Sequence, residues 1–180
     1  MKLSTLIATI DVEETSGVDP NADPEVTNVC YDSRKVGPGA VFVAITGFAT
    51  DGHRFIDDAM AKGAVAVVCE KPVAADRPVF RVGNTRAALA RLAVCLYGYP
   101  TGVLTLVGVT GTNGKTTVTY LLEQILIEAG LLPGVVGTIN YRYAGTEADN
   151  PVTTPESSDL QAILRRMADA GVSHVVIEVS

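Results

Sequence analysis

The sequence predicts an α/β chain in two parts: a small N-terminal α/β domain over residues 1–101, followed from residue 102 by the first part of a P-loop parallel-sheet domain. Three observations carry this. Residues 104–117 run from a short β-branched apolar stretch through two glycines into Lys115-Thr116-Thr117 and then into helical periodicity, the order strand, phosphate loop, helix. Residues 40–69 read as strand, loop, helix, strand with the spacing of a parallel crossover. Pro100-Thr101-Gly102 separates the two patterns with strong turn residues.

In chain order, residues 1–10 form an amphipathic helix. Their apolar stretch is interrupted by Ser and Thr and soon turns acidic at Asp11, Glu13 and Glu14, unlike a signal peptide. Residues 11–27, rich in Asp, Glu, Pro, Gly and Asn, read as a loop. Short strands follow at 29–31 and 40–45, with a polar turn between them. A helix then presents Phe55, Ile56, Ala59 and Met60 on one face. Gly63 stops it, and residues 64–69 return as a strand. Another strand spans 78–82. Asn84 or Thr85 caps a helix carrying Ala88, Leu89, Leu92, Ala93 and Leu96, which Gly98-Tyr99-Pro100 ends.

In the second part, residues 104–109 read as a buried strand of a parallel sheet. Gly111 and Gly114 let the backbone turn and bring its N–H groups near an anion. Val118, Leu121, Leu122, Ile125 and Leu126 then recur at helical spacing, so the loop opens on a helix N-terminus. Lys115 is placed to reach β- and γ-phosphates, and the Thr116 hydroxyl to complete the shell of a bound Mg²⁺. Residues 135–139 form the next strand, and residues 141–155 show no core periodicity. Ser157 or Ser158 caps a helix with Leu160, Ile163, Leu164 and Met167 inward, and a strand begins at His174. Glu178 in that strand, among Val175, Val176, Ile177 and Val179, is tolerable only at the strand end, where open α/β sheets place ligands.

Composition narrows the partners. A hydrophobic fraction of 47% and a charged fraction of 19% in 180 residues suit a globular protein with a real core. A net charge of −6 disfavours nucleic acid or an anionic membrane. No run approaches the ~20 apolar residues of a membrane span. Cys30, Cys69 and Cys95 form no C-x-x-C pair and sit in apolar surroundings, which favours buried, reduced thiols and a cytoplasmic setting. His53 and His174 start a helix and a strand, with no metal-ligand partner at usable spacing.

The run Gly111-Thr112-Asn113-Gly114-Lys115-Thr116-Thr117, with Val109 where the general P-loop pattern has glycine, resembles the compact loop of the Mur ligases and the related folylpolyglutamate synthetases. The first hundred residues, which the synthetases lack, point to the Mur ligases. Tyr31-Asp32-Ser33-Arg34-Lys35-Val36, Pro38-Gly39-Ala40-Val41-Phe42-Val43-Ala44 and Asp51-Gly52-His53-Arg54-Phe55-Ile56 resemble that family's uridine-diphosphate-binding opening. Gly137-Thr138-Ile139, Thr153-Thr154-Pro155 and Glu178-Val179-Ser180 follow at family spacing, and within the family the likeness is to the branch acting on UDP-N-acetylmuramoyl-L-alanyl-D-glutamate.

The resemblance implies an ATP-dependent ligase that forms an acyl-phosphate on UDP-MurNAc-L-Ala-D-Glu and displaces it with a diamino acid, either meso-diaminopimelate or L-lysine, in peptidoglycan precursor synthesis. ATP would lie on Gly111, Thr112, Asn113, Gly114, Lys115, Thr116 and Thr117, with Lys115 and Glu178 catalytic and Mg²⁺ on Thr116 and Glu178. The UDP-MurNAc-peptide would meet Tyr31, Ser33, Phe48, Ala49, Thr50, Thr153, Thr154 and Ser180. Phe48-Ala49-Thr50 stands where many members have His-Gln-Ala. The resemblance further implies a cytoplasmic monomer, longer than these 180 residues, of which this piece alone is inactive. Other readings are another ligase of the same pathway and a P-loop nucleotide-binding module.

Overall fold

The apolar runs become strands, and the order of those strands decides which of them are buried. The computed structural model describes residues 1–47, 50–150 and 152–180. They form two units, Met1–Leu96 and Tyr97–Ser180. The first contains α1 (Leu3–Ile7), β1 (Val12–Ser16), β2 (Asn28–Cys30), β3 (Ala40–Val43), α2 (Ile56–Ala61), β4 (Ala66–Cys69), β5 (Val79–Val82) and α3 (Thr85–Leu96). Its sheet has the order β1-β5-β4-β3-β2, parallel from β2 to β5.

Strands β3 and β4 are buried throughout. One face packs against α1 and α3 through Leu3, Leu6, Leu89 and Leu92, the other around Ile56 and Ala59. A continuous apolar run suits a strand covered on both faces. The parallel crossover between β3 and β4 is as expected. The Asn84 side chain caps α3, its Oδ1 accepting from the Ala87 N–H at 2.9 Å.

The expected loop at 11–27 is corrected in its first part. Val12–Ser16 is a strand, antiparallel to β5. It lies at the sheet edge and is mostly exposed, so it lacks the apolar alternation of a half-buried strand. Arg81 of β5 holds it, donating to Glu13 at 2.7 Å and to Glu14 at 2.9 Å.

The second unit contains β6 (Thr105–Val109), α4 (Lys115–Glu128), β7 (Pro133–Val136), β8 (Asn140–Tyr143), β9 (Thr146–Asp149), α5 (Ser157–Asp169) and β10 (His174–Glu178). The sheet order is β6-β10-β7-β8-β9, with β10 parallel to both neighbours. The core gathers Leu104, Val136, Ile163, Leu164, Met167, Val172, Val175 and Ile177.

Four expectations change here, the first being that Glu156, not Ser157 or Ser158, caps α5, its carboxylate accepting from the Ser157 N–H at 3.1 Å. Strand β6 is an edge strand with mostly exposed residues, because among the described strands it pairs only with β10. The helical stripe on α4 is not core: Leu121 and Ile125 are 59% and 62% exposed. The segment 141–155 holds a hairpin, β8 with β9, antiparallel and continuing the sheet from β7. Arg142 of β8 ties that hairpin to α4, donating from Nε to Glu123 at 2.9 Å and lying over the Tyr120 ring at 4.1 Å.

Candidate functional site

Strand β6 delivers the chain to Gly111, whose φ of +144° lies in the region that glycine tolerates, and Gly114 at φ +79° starts α4. Gly114 at the cap position offers no side chain to that helix, and among the described residues no side-chain cap is formed, so the first-turn N–H groups are left for an anion. Lys115 folds back over it, Nζ donating to the Gly111 carbonyl at 2.8 Å. Residues 111–117 therefore concentrate backbone donors and one ammonium where a phosphate would sit.

Glu178 closes the other side. It ends β10 at 1% exposure, next to Val109 of β6 in the parallel register. Its carboxylate accepts from three donors: Thr116 Oγ1 at 3.2 Å, the Thr138 N–H at 3.3 Å and Thr138 Oγ1 at 2.9 Å. A buried carboxylate is sustained only with such partners. Gly137 admits it, since a Cβ there would stand 2.5 Å from Oε1. Thr138 Oγ1 lies 3.2 Å from Thr153 Oγ1. Thr154 Oγ1 donates to the Glu178 carbonyl at 2.9 Å and accepts from the Ser180 N–H at 3.0 Å. The structure links Thr116, Thr138, Thr153, Thr154, Glu178 and Ser180 by hydrogen bonds, with Lys115 next to Thr116 at the start of α4. Thr138 and Gly137 had a place in the sequence only through family spacing. Their signal was a Gly-Thr pair at a strand end, facing an acid in an apolar strand.

In the first unit, Tyr31 and Ser33 follow β2, and Thr46, Gly47 and Asp51 follow β3. Parallel pairing puts both at the same sheet edge, the carboxyl end, where open α/β sheets bind ligands. Ser33 is buried, and its carbonyl accepts from Lys62 Nζ at 3.0 Å. Lys62 also pairs with Asp58 at 2.8 Å, and that hydrogen bond lowers the Asp58 pKa. Beside Ser33, Arg34 hydrogen-bonds Asp32 and brings its carboxyl down to about 2. Phe48 and Ala49 lie outside the described residues. Thr50 is exposed, with its carbonyl accepting from the Gly47 N–H at 3.0 Å, and Thr46 bridges Asp51.

Asp51 fixes the turn that follows. It accepts from the His53 N–H at 3.1 Å and pairs with His53 Nδ1 at 2.6 Å and with Lys71 Nζ. The Lys71 hydrogen bond, then those of His53, hold the Asp51 carboxyl well below its usual range. His53 Nε2 accepts from the Glu70 N–H at 3.1 Å, so Nδ1 carries the proton toward Asp51. This histidine is a structural staple at the start of its helical turn, as its sequence position suggested. The three cysteines are buried and none is in a disulfide, and burial raises the Cys69 thiol. Among the described residues, no helix is long and apolar enough to cross a membrane.

Comparison with known proteins converges on one family. Residues 25–95 match a model described as Mur ligase family, catalytic domain, and residues 109–180 match the Mur ligase middle domain. UDP-N-acetylmuramoyl-L-alanyl-D-glutamate--2,6-diaminopimelate ligase of Alkaliphilus metalliredigens (strain QYMF) is 44% identical over 182 residues, 100% of this chain and 36% of that protein. A solved structure of an enzyme of that same name superposes with a TM-score of 0.77 at 24% identity, over 100% of this chain and 36% of the other, and shows the shared fold. The MurF ligase from Thermotoga maritima in complex with ADP gives a TM-score of 0.58 at 31% identity, over 84% of this chain and 31% of that one. The chain spans about a third of the length of the relatives it matches. With both stretches matched by models of one family, and the loop, the threonines and Glu178 assembled within the second, the chain belongs to the Mur ligase family.

Proposed function

We propose that the full protein is a cytoplasmic, monomeric, ATP-dependent ligase of peptidoglycan precursor synthesis that adds a diamino acid to UDP-MurNAc-L-Ala-D-Glu. In this reading residues 1–101 bind the UDP end of the precursor, through Tyr31, Ser33 and the loop Phe48-Ala49-Thr50. Residues 102–180 open the ATP-binding domain, with Thr153, Thr154 and Ser180 toward the peptide. The observation that carries it is the Thr116 hydroxyl 3.2 Å from the buried Glu178 carboxylate, beside an uncapped helix N-terminus.

The chemistry follows from those groups. An oxygen of the substrate carboxylate attacks the γ-phosphorus of ATP, the bond to the β-phosphate oxygen breaks, and ADP leaves. The amine nitrogen then attacks the acyl carbon, phosphate departs and the nitrogen loses a proton. The first step brings two anions together, so cations and aligned N–H groups lower its barrier most. Lys115 and the amides of residues 111–117 neutralise and orient the phosphates.

A magnesium ion fits the donor set. Among the described residues no three His, Cys, Asp or Glu side chains cluster as a metal cage. One carboxylate and one hydroxyl beside a phosphate loop is how Mg²⁺ is usually held. Thr116 and Glu178 would hold it, and when bound it supplies charge neutralisation at the phosphates.

The test is Lys115→Ala in the full-length protein. Losing an electrostatic donor of this kind costs on the order of 10²–10³ in rate. Ligation is expected to fall by at least that lower figure while the UDP precursor still binds. An unchanged rate, or ATP turnover indifferent to the precursor, would refute the reading.

A further inference from the structure

The Thr138 hydroxyl has one hydrogen and two neighbours. Glu178 Oε2 stands at 2.9 Å and Thr153 Oγ1 at 3.2 Å. Thr138 donates to both, so Glu178 Oε2 and the Thr153 hydroxyl oxygen compete for its single hydrogen, with the carboxylate at the shorter distance. The result is a relay through one shared hydrogen, which links Thr153 to Glu178 by way of Thr138. It is reinforced on the backbone side, where Thr154 Oγ1 donates to the Glu178 carbonyl and accepts from the Ser180 N–H. Thr138 also gives its N–H to Oε1, so one residue holds both carboxylate oxygens.

We infer that Thr138 is a positioning residue that couples the muropeptide end of the site to the metal-facing carboxylate. This rests on the proposed function, because it takes Thr153 and Thr154 as peptide-facing and Glu178 as a magnesium ligand. Thr138 sets the angle of the carboxylate relative to the Thr116 hydroxyl. A ligand that draws the Thr153 hydroxyl away changes how strongly Thr138 donates, and thereby what Glu178 presents to the nucleotide side. Coupling of this kind is reciprocal. The factor by which precursor tightens nucleotide binding equals the factor by which nucleotide tightens precursor binding.

The test is calorimetry on the full-length protein, titrating a non-hydrolysable ATP analogue across a magnesium series, with and without UDP-MurNAc-L-Ala-D-Glu. In the wild type the precursor is expected to tighten the analogue by a factor within the roughly 5–150-fold range typical of site coupling. Thr138→Val keeps the shape and removes the relay. It should raise the magnesium needed for half-saturation several-fold and bring the coupling factor to about one. Thr138→Ser should restore both. Thr153→Val should abolish coupling yet leave the magnesium requirement unchanged, which a merely structural role for Thr138 does not produce.

Wild-type magnesium dependence and coupling in Thr138→Val would overturn the inference, as would a wild-type protein that binds both ligands with no coupling. A wild type that binds neither ligand fails the proposed function instead. Should Thr138→Val not fold, Thr153→Val decides, and retained coupling in that variant sinks the relay.

Discussion

Glu178 is a carboxylate in an otherwise apolar strand, and the structure resolves the conflict atom by atom. Burying a charge without partners is costly, whereas two hydroxyls and one N–H on the two oxygens make it tolerable. That tolerance depends on Gly137, because the donors fix the carboxylate so that it cannot swing away from a new Cβ. Gly137→Ala is therefore expected to cost about 1–3 kcal/mol in stability, as overpacking does, and to weaken magnesium-dependent nucleotide binding at least tenfold. A thermal melt and a nucleotide titration measure the two. A stable variant with normal binding would mean the carboxylate is free to move. A second residue-scale prediction concerns pH. The folded pKa of Asp51 is lowered by Lys71 and then His53, and that of Asp32 is lowered to about 2 by Arg34. A depressed carboxylate pKa contributes stability that is present above the unfolded value, near 3.9, and is lost as pH falls through the folded value. The first unit should thus lose stability from about pH 4 down toward 2. In a urea titration followed by circular dichroism, Asp51→Asn should be less stable at pH 7 and should flatten that acid slope. An equally steep slope in the variant would remove Asp51 from the account.

At the scale of elements, periodicity and burial part company in α4. The helix carries the apolar stripe its sequence announced, yet Ile125 is mostly exposed while Leu164 of α5 is buried. Leu164→Ala should cost about 2–5 kcal/mol, whereas Ile125→Ala should stay within about 1 kcal/mol in this chain. Chemical denaturation of the two variants checks the contrast, and equal losses would contradict the burial described here. The central elements were legible because apolar composition suffices for a strand covered on both faces, as in β3, β4 and β10. The peripheral ones were not. Strand β1 is held by Arg81, 67 residues after Glu14 and 68 after Glu13, a separation which no local window contains. The β8–β9 hairpin turns on Ala144 and Gly145, both at positive φ, and Ala-Gly lacks the asparagine or aspartate that ordinarily marks such a turn. At the site, the loop and Glu178 stood out by residue type. Thr138 did not, because a threonine acquires its role only once the fold brings Glu178 to it.

At the scale of the molecule, under the proposed function the described groups serve one half of a ligation. Anion binding is provided for: backbone donors at residues 111–117, Lys115, the Thr116 hydroxyl and Glu178 are gathered at the carboxyl end of the β6–β10 pair. Amine chemistry is not. The described side chains that donate to Glu178 are threonines, and hydroxyls neither hold an incoming ammonium by charge nor take its proton near neutral pH. Relatives of this chain carry about twice as much sequence again beyond the matched third. The 180-residue chain by itself is therefore expected to show no ADP release that depends on added diamino acid. A coupled ADP assay, run with UDP-MurNAc-L-Ala-D-Glu, magnesium and either meso-diaminopimelate or L-lysine, measures this. Amino-acid-dependent release above the no-enzyme control would show that these residues suffice for the second step, and the division of labour argued here would fall with it.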